Sequence, residues 1–418
     1  MFERDRWQEI FEALAKNKLR TFLTGFGVFW GIFMLIIMLG AGKGLQNGAF
    51  AFIGDFATNS LFVFTRPTTM PYQGFNKGRQ WNFINEDTKA LYDNIPEIDV
   101  AAPRVMSPNG NVPMVRGKYT GAYQIFGDYS TYNKIDPVTL LNGRLINDKD
   151  VEELRKVVVL GQRIKEVLFQ NSNPIGQYVQ IQGVYFQVVG IFSSKHTGGW
   201  GRFQNESAIM PFTTLQKTYN LGNIVFWYGI TVKPHVSVTS VEPKIKALLA
   251  NRHRVSPEDK EAVGSQNIEA LFNQMNAVFI GINVLSLIVG VLTLLAGVIG
   301  ISNIMLVIIK ERTKEIGIQR AIGAAPIKII VQIIMESIFL TFVAGLIGMV
   351  FGIAIIEILD FVFKQMPPES RFILNPVINF NVAIGSLTLL VVSGTLAGMI
   401  PARRAIKIKP IDALRAEI

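Results

Sequence analysis

Four stretches of this chain run for twenty residues or more without a charged side chain: 21–42, 277–309, 337–356 and 372–402. About 20 apolar residues in an α-helix cover the hydrocarbon core of a bilayer, and a helix satisfies its own backbone hydrogen bonds there. The runs therefore predict four spanning helices, and an even number of crossings brings both termini to one side. The segments on that side, 1–20, 310–328 and 403–418, hold fifteen Lys and Arg against eight Asp and Glu. Residues 43–276 together with 357–379 hold twenty-six against twenty-two. Positive-inside bias then places both termini in the cytosol and the long intervening segment outside. Read this way, the net charge of +10 reports topology, and no nucleic-acid partner is expected.

Composition narrows the chemistry. Of 418 residues 49% are hydrophobic and 17% charged, yet roughly the middle half has ordinary globular composition. The absence of cysteine excludes disulfides and thiolate chemistry. His196, His235 and His253 are scattered without metal-ligand spacing. The first uncharged run is twenty-two residues long, beyond the length of a signal-peptide core, and lacks a good cleavage site, so it reads as a retained span.

The expected order is a cytosolic amphipathic helix (1–20), a first span (21–42), an extracytoplasmic domain (43–267), a stalk with the second span (268–309), a charged segment (310–325), a third span (326–356), a loop (357–379), a fourth span (380–402) and a tail (403–418). Within 2–20, Trp7, Ile10, Phe11 and Leu14 fall at i, i+3, i+4 and i+7, one apolar stripe that suits either the membrane interface or a soluble helix packed on a partner. In 43–267, strand-like runs such as Lys156–Leu160 and Phe186–Val189 alternate with helical patterns over 85–94, 162–169 and 240–251. Asn85 is the expected N-cap of the first of these. The domain reads as α+β with two lobes, the second inserted near 108–222. The 33-residue second run is about 50 Å of helix against a core of about 30 Å. It is either a stalk projecting from the membrane or a span with an apolar linker. Gly27/Gly31, Gly348/Gly352 and Gly394/Gly398 are GxxxG pairs that let backbones approach, with a second copy of the chain as the expected neighbour.

Catalytic and phosphate-binding patterns are missing. Gly40-Ala41-Gly42-Lys43-Gly44 lacks the spacing and hydroxyl of a phosphate loop. Asp148, Asp150, Glu152 and Glu153 read as capping residues. Glu336 is the one ionisable residue inside an apolar run, about two turns from the cytosolic end, where it is expected to serve structure or coupling, and so little polar lining argues against a conducting path. The segment KERTKEIGIQRAIGAAP (310–326) is different: residues 311–322 are long enough for about three helical turns, Gly323 suits the position that ends them, and Pro326 suits the first turn of the next helix. Ile316, Ala321 and Ile322 are its expected apolar contacts, and Glu311, Arg312, Lys314, Glu315 and Arg320 its charged ones. Such punctuation fits a docking helix for a cytosolic partner.

Residues 303–324, NIMLVIIKERTKEIGIQRAIGA, resemble the segment after the second span in MacB-type ABC transporter permeases of the FtsX-like superfamily. Pro401-Ala402-Arg403-Arg404-Ala405 with Pro410-Ile411-Asp412-Ala413-Leu414-Arg415 resembles the family's closing motif. Gly143-Arg144, Val157–Gly161, Pro174-Ile175-Gly176 and Gly183–Gly190 are similar to the MacB periplasmic core. The resemblance implies a bacterial inner-membrane dimer, homodimeric or pseudo-symmetric, of four-span subunits with a large periplasmic domain of porter and sabre lobes. It also implies an ABC ATPase that binds ATP and Mg and docks on Glu311, Arg312, Lys314, Glu315, Ile316, Gly317, Arg320, Ala321 and Gly323, and a mechanism called mechanotransmission. MacB carries its ATPase before the first span; here about twenty residues precede it, so the ATPase is expected to be a separate chain and this one to hold no cofactor. Export from the periplasm with an adaptor and an outer-membrane duct is the leading expectation. A lipoprotein-releasing permease and an FtsX-like regulator of a cell-wall hydrolase are the alternatives.

Overall fold

The computed structural model describes residues 18–53, 56–108, 110–196, 198–367, 371–377 and 380–407. The amphipathic stripe expected before residue 18 and the closing motif from Pro410 lie outside them. The chain divides into a helical unit, built on residues up to Gly48, Val278–Met366 and from Arg371 onward, and an α+β unit over Ala49–Ala277.

Four long helices, Lys18–Ile53, Ile268–Glu311, Pro326–Gln365 and Phe380–Ala405, contain the four uncharged runs or most of them. Among the described residues these four are long and apolar enough to cross a membrane. All four overrun the expected spans, because helix propagation stops at backbone breakers and not where apolar residues end. The first continues eleven residues past Gly42, with Lys43 Nζ donating to Gln46 Oε1 at 3.0 Å. The third continues through an Asp360–Lys364 pair at 2.5 Å, which shortens the expected 357–379 loop. The second is one unbroken helix of 44 residues whose first ten belong to the α+β unit.

The GxxxG pairs face helices of the same chain. A Cβ on Gly27 would stand 3.2 Å from Gly297 Cα, and one on Gly31 3.2 Å from Leu294 N, so the first helix lies backbone to backbone on the second. A Cβ on Gly348 would stand 2.5 Å from Phe29 O and one on Gly352 2.8 Å from Ile36 Cγ2, which seats the third helix on the first. A Cβ on Gly394 would stand 2.9 Å from Ile338 Cα and one on Gly398 3.1 Å from Ile334 Cα, so these glycines join the fourth helix to the third. Close approach replaces the missing hydrophobic drive between helices in lipid, and all three pairs are used this way inside one subunit.

The α+β unit contains strands β1 (Ser60–Thr65), β2 (Phe83–Ile84), β3 (Ile98–Met106), β4 (Val112–Arg116), β5 (Tyr119–Asp128), β6 (Val138–Gly143), β7 (Val157–Gly161), β8 (Tyr178–Ile181), β9 (Val184–Ser194), β10 (Ser207–Pro211), β11 (Ile224–Val225), β12 (Trp227–Val232) and β13 (Val263–Asn267). Strands β13, β1, β12 and β3 pair antiparallel in that order, and β3 pairs the end of β5. The other edge of β5 pairs parallel with β10, which pairs β7, then β9, β8, β4 and back to β5. Six strands thus close on themselves as a small barrel, leaving no edge among them. Alternating pairs fill it: Val112/Met114, Tyr123/Ile125, Val158/Leu160, Val179/Ile181, Phe186/Val188 and Ala208/Met210 share one core. Val157 and Val159 of β7 join a second cluster with Ile146, Val151 and Phe192, so this strand is covered by apolar side chains on both faces.

Two expectations need correction here. The helix Asn85–Asn94 is as read, but its N-cap is Ile84, whose extended backbone N–H donates to Asp87 Oδ2 at 2.9 Å; Asn85 instead exchanges side-chain hydrogen bonds with Gln216. The helix read over 240–251 is Val238–Arg252. Its N-terminal amides are capped from outside its own sequence by Glu269 of the 44-residue helix, which accepts from Val238 N at 2.5 Å and Ser237 Oγ at 3.0 Å.

Candidate functional site: the charged segment between the second and third long helices

Arg312 breaks the helical path. With φ −93° and ψ 12° it separates the helix ending at Glu311 from a short helix, Thr313–Ala321. Its N–H still donates to Ile308 O at 2.9 Å, and its C=O accepts from Ile316 N–H at 3.0 Å, so the bend is pinned on both sides. The short helix ends at Gly323, φ +96°, a conformation costly for any residue with a Cβ. Gly323 N–H donates to Arg320 O at 3.1 Å and Ala324 N–H to Gln319 O at 3.0 Å, the paired bonds of a Schellman ending. Pro326 then opens the third long helix at its first turn. The punctuation read from Gly323 and Pro326 thus corresponds to two identified backbone devices.

The two faces of this segment differ in kind. Ile316 and Gly317 point inward, and Ile316, 8% exposed, packs in the cluster that includes Ile309, Ile329 and Ile333. Ile316 was expected among the outward apolar contacts; its spacing from Ile309 and Ile329 in the bundle puts it in the core instead. Arg320 also turns back, with Nη1 donating to Ile406 O at 2.7 Å. The outward face carries Glu311, Lys314, Glu315, Ile318, Ala321 and Ile322, spaced at three and four residues along one side. Ile318 is 42% and Ile322 82% exposed. Ile318 escaped the sequence reading, although its i, i+3, i+4 relation to Ala321 and Ile322 was available to find it.

Glu336 pairs with the bend that precedes the short helix. It is 5% exposed, and its Oε1 accepts from Arg312 Nη1 at 3.1 Å. Arg312 Nε donates at the same time to Glu315 Oε2 at 2.9 Å. One guanidinium therefore joins a buried carboxylate on the third helix to an exposed one on the short helix. Neither arm presents a nucleophile or an acid–base pair. Among the described residues no group of three or more His, Cys, Asp or Glu side chains is gathered to hold a metal ion.

A second polar cluster lies in the α+β unit. Arg104 on β3 makes two hydrogen bonds to Asp128 on β5, at 2.6 and 2.5 Å, with both side chains buried. Its guanidinium lies 3.6 Å from the Tyr132 ring centroid, and Asp136 is 4.0 Å away. Asp136 in turn is held by His196 Nε2 at 2.7 Å and Gln204 Nε2 at 3.2 Å. Burial lifts the Asp128 carboxyl above its ordinary value against the pull of Arg104. Sequence spacing gave no sign of this cluster, because its members come from separate strands, turns and a helix spread over residues 104–204. Of the four acids read as caps, Asp150 is one: it accepts from Asn147 N at 3.1 Å and pairs with Arg144, and those hydrogen bonds outweigh the effect of burial and hold its carboxyl below the usual range.

Comparison with known proteins places this architecture. The MacB-like periplasmic core domain matches residues 21–248, and the FtsX-like permease C-terminal family matches residues 287–410. The macrolide export ATP-binding/permease protein MacB of Chlorobaculum tepidum is 30% identical over 98% of this chain and 61% of its own length. The pyoverdine export ATP-binding/permease protein PvdT of Pseudomonas putida is 27% identical over 98% of this chain and 59% of its own. The chain thus spans about 60% of the length of these curated relatives. The crystal structure of the periplasmic region of MacB from Actinobacillus actinomycetemcomitans matches with a TM-score of 0.43 and 20% identity, covering 53% of this chain and 94% of that one. With over half its length matched by the first family and most of the remainder by the second, the chain belongs to the MacB-type, FtsX-like family of ABC transporter permeases.

Proposed function

We propose that this chain is the permease subunit of a MacB-like exporter in which a separate ABC ATPase docks on residues 311–323. The observation that carries this reading is the outward face of the short helix. Ile318, Ala321 and Ile322 form an apolar stripe edged by Glu311, Lys314 and Glu315, on a helix whose other side is packed and whose ends are both fixed. A large apolar side chain as exposed as Ile322 costs solvation unless something covers it, and charged neighbours give such an interface its register. ATP and Mg bind in the ATPase. This chain's part is mechanical: closing of the ATPase displaces the docked helix, and the 44-residue helix carries that displacement into the α+β unit. Cargo, an antibiotic, a peptide or a lipid-like molecule, is then moved outside the membrane and not through the bundle. Both termini are cytosolic, the α+β unit is periplasmic, and two subunits act together in the inner membrane, served by an adaptor and an outer-membrane duct.

The test is to purify the full-length chain from its own membranes by an affinity tag and to assay ATP hydrolysis that accompanies it. Ile322→Glu places a charge at the centre of the proposed interface, where hot-spot losses of about 2 kcal/mol or more, roughly thirtyfold in affinity, are usual. ATPase recovery falls accordingly while the unfolding midpoint of the chain stays within about 0.5 kcal/mol of wild type. Undiminished ATPase recovery with Ile322→Glu and with Ile318→Glu refutes the docking site.

A further inference from the structure

We infer that Arg312 is a positioning residue that fastens the docking helix to the third long helix, with Glu336 as its anchor, so that the two move as one body. The importance attached to the docking helix rests on the function proposed above; the fastening itself stands on geometry. Glu336 is the one carboxylate between Lys328 and Glu357, on a helix otherwise uncharged through that stretch, and it is 5% exposed. A carboxylate held away from water persists in ionised form when a cation with matched geometry reaches it. Arg312 supplies that cation from the bend between two helices, where its backbone is already hydrogen-bonded to the second long helix through Ile308 O and to the short helix through Ile316 N–H. Arg312 therefore ties three elements at one point, by its backbone and its guanidinium together.

The two arms are unequal. The Glu315 side chain is 61% exposed, so its hydrogen bond to Arg312 is screened by water and holds little. The Glu336 side chain is 7% exposed, so water screens its hydrogen bond to Arg312 little and that arm is the firmer of the two. A cationic group on a docked partner can draw Glu315 away while the Glu336 arm stays closed. Load on the docking helix then passes into the third helix, and Ile316, in one buried cluster with Ile329 and Ile333, keeps the two surfaces in register beneath the pair.

The chain has no native cysteine, so Ile322→Cys carries a single spin label on the exposed end of the docking helix. The full-length labelled chain is placed in nanodiscs of phosphatidylethanolamine and phosphatidylglycerol without any partner. Arg312→Gln and Glu336→Gln are each expected to raise the mobile fraction of the label at least about tenfold, the scale of opening a hydrogen bond between charged groups that is shielded from water. Glu315→Gln changes it by less than about threefold, as for an exposed pair. In the Glu315→Gln background, the exchange Arg312→Glu with Glu336→Arg restores the immobile spectrum, which loss of packing alone would not. A label unmoved by both neutral variants, or an exchange as mobile as the single variants, overturns the inference. Should Ile322→Glu leave ATPase recovery intact while the label responds as described, the docking assignment fails and the fastening stands.

Discussion

Replacing Arg104 by Met isolates what the buried cluster of the α+β unit contributes. Methionine keeps most of the apolar stem, so the packing over Tyr132 changes little, and the loss is the two hydrogen bonds to Asp128 at 2.6 and 2.5 Å. The side chains are 3% and 6% exposed, so Asp128 gains no compensating water. Removing one partner of such a pair costs about 3–5 kcal/mol. With a urea dependence of about 2–3 kcal/mol per molar for a unit of this size, the midpoint falls by about 1–2 M. The cost also depends on pH. Burial already raises the Asp128 carboxyl, and without Arg104 it rises further. A carboxyl raised in the folded state keeps its proton where the unfolded chain has lost it. The variant therefore loses about 1.4 kcal/mol per pH unit from the unfolded carboxylate value, near 4, up to the folded value. Arg104→Met is expected to lie nearest to wild type at about pH 4 and farthest from it at about pH 8. Removing both charges in Arg104→Met/Asp128→Leu recovers most of the loss. Urea unfolding of the full-length chain in detergent micelles reads this directly through Trp227, whose Nε1 donates to Tyr132 Oη at 3.0 Å and whose ring lies 6.0 Å from Phe126. A loss below about 1 kcal/mol that does not vary with pH, or a double variant no better than the single one, refutes the reasoning.

Three further outcomes follow from the same structure. Burial by itself would raise the Asp87 carboxyl, but hydrogen bonds from His253, Ile84 and Arg252 outweigh it and hold it below the ordinary range; its contribution is full above about pH 4 and is lost as pH falls through the lowered value, so wild type should lose more stability than Asp87→Asn on acidification in urea titrations. Gly394→Val forces a Cβ to 2.9 Å from Ile338 Cα and should cost about 1–3 kcal/mol in thermal unfolding, whereas Gly385→Val, with open space around it, should cost less than about 0.5. Ile316→Ala should destabilise the helical unit by about 2–4 kcal/mol and Ile322→Ala by less than about 0.5, since the first is 8% and the second 82% exposed; equal losses would contradict the two-faced reading of the segment.

What the sequence disclosed and what it hid divide along physical lines. Uncharged run length is a local property, and it located the four long helices, including the overlong second one. Turn chemistry is local as well, so Gly323 and Pro326 could be read before any coordinates. Helix ends were misjudged where hydrophobicity served as a ruler, as at Gly42 and Ile356, because polar residues continue a helix as readily as apolar ones. Asn85 was misread because a good capping side chain lost to an extended Ile84 backbone answered by Asp87. The Glu269 cap, the closure of β10 on β5 and the Arg104 cluster all join residues distant in sequence, and no periodicity encodes them. For the charged segment, residue types were legible and facing was not: which of Ile316, Ile318 and Ile322 is buried depends on where the neighbouring helices stand.

The central claim is that the outward face of residues 311–322 receives an ATPase. It is tested most directly by attaching a photocrosslinker to Ile322→Cys, the single cysteine in the chain, and irradiating native membranes with and without ATP and vanadate. The account predicts a crosslinked product containing an ATP-binding polypeptide, with a yield that changes with nucleotide. The same label on Tyr185→Cys, an exposed site in the α+β unit, should give no such product. Absence of any ATP-binding product from position 322, or an equal yield from position 185, would contradict it.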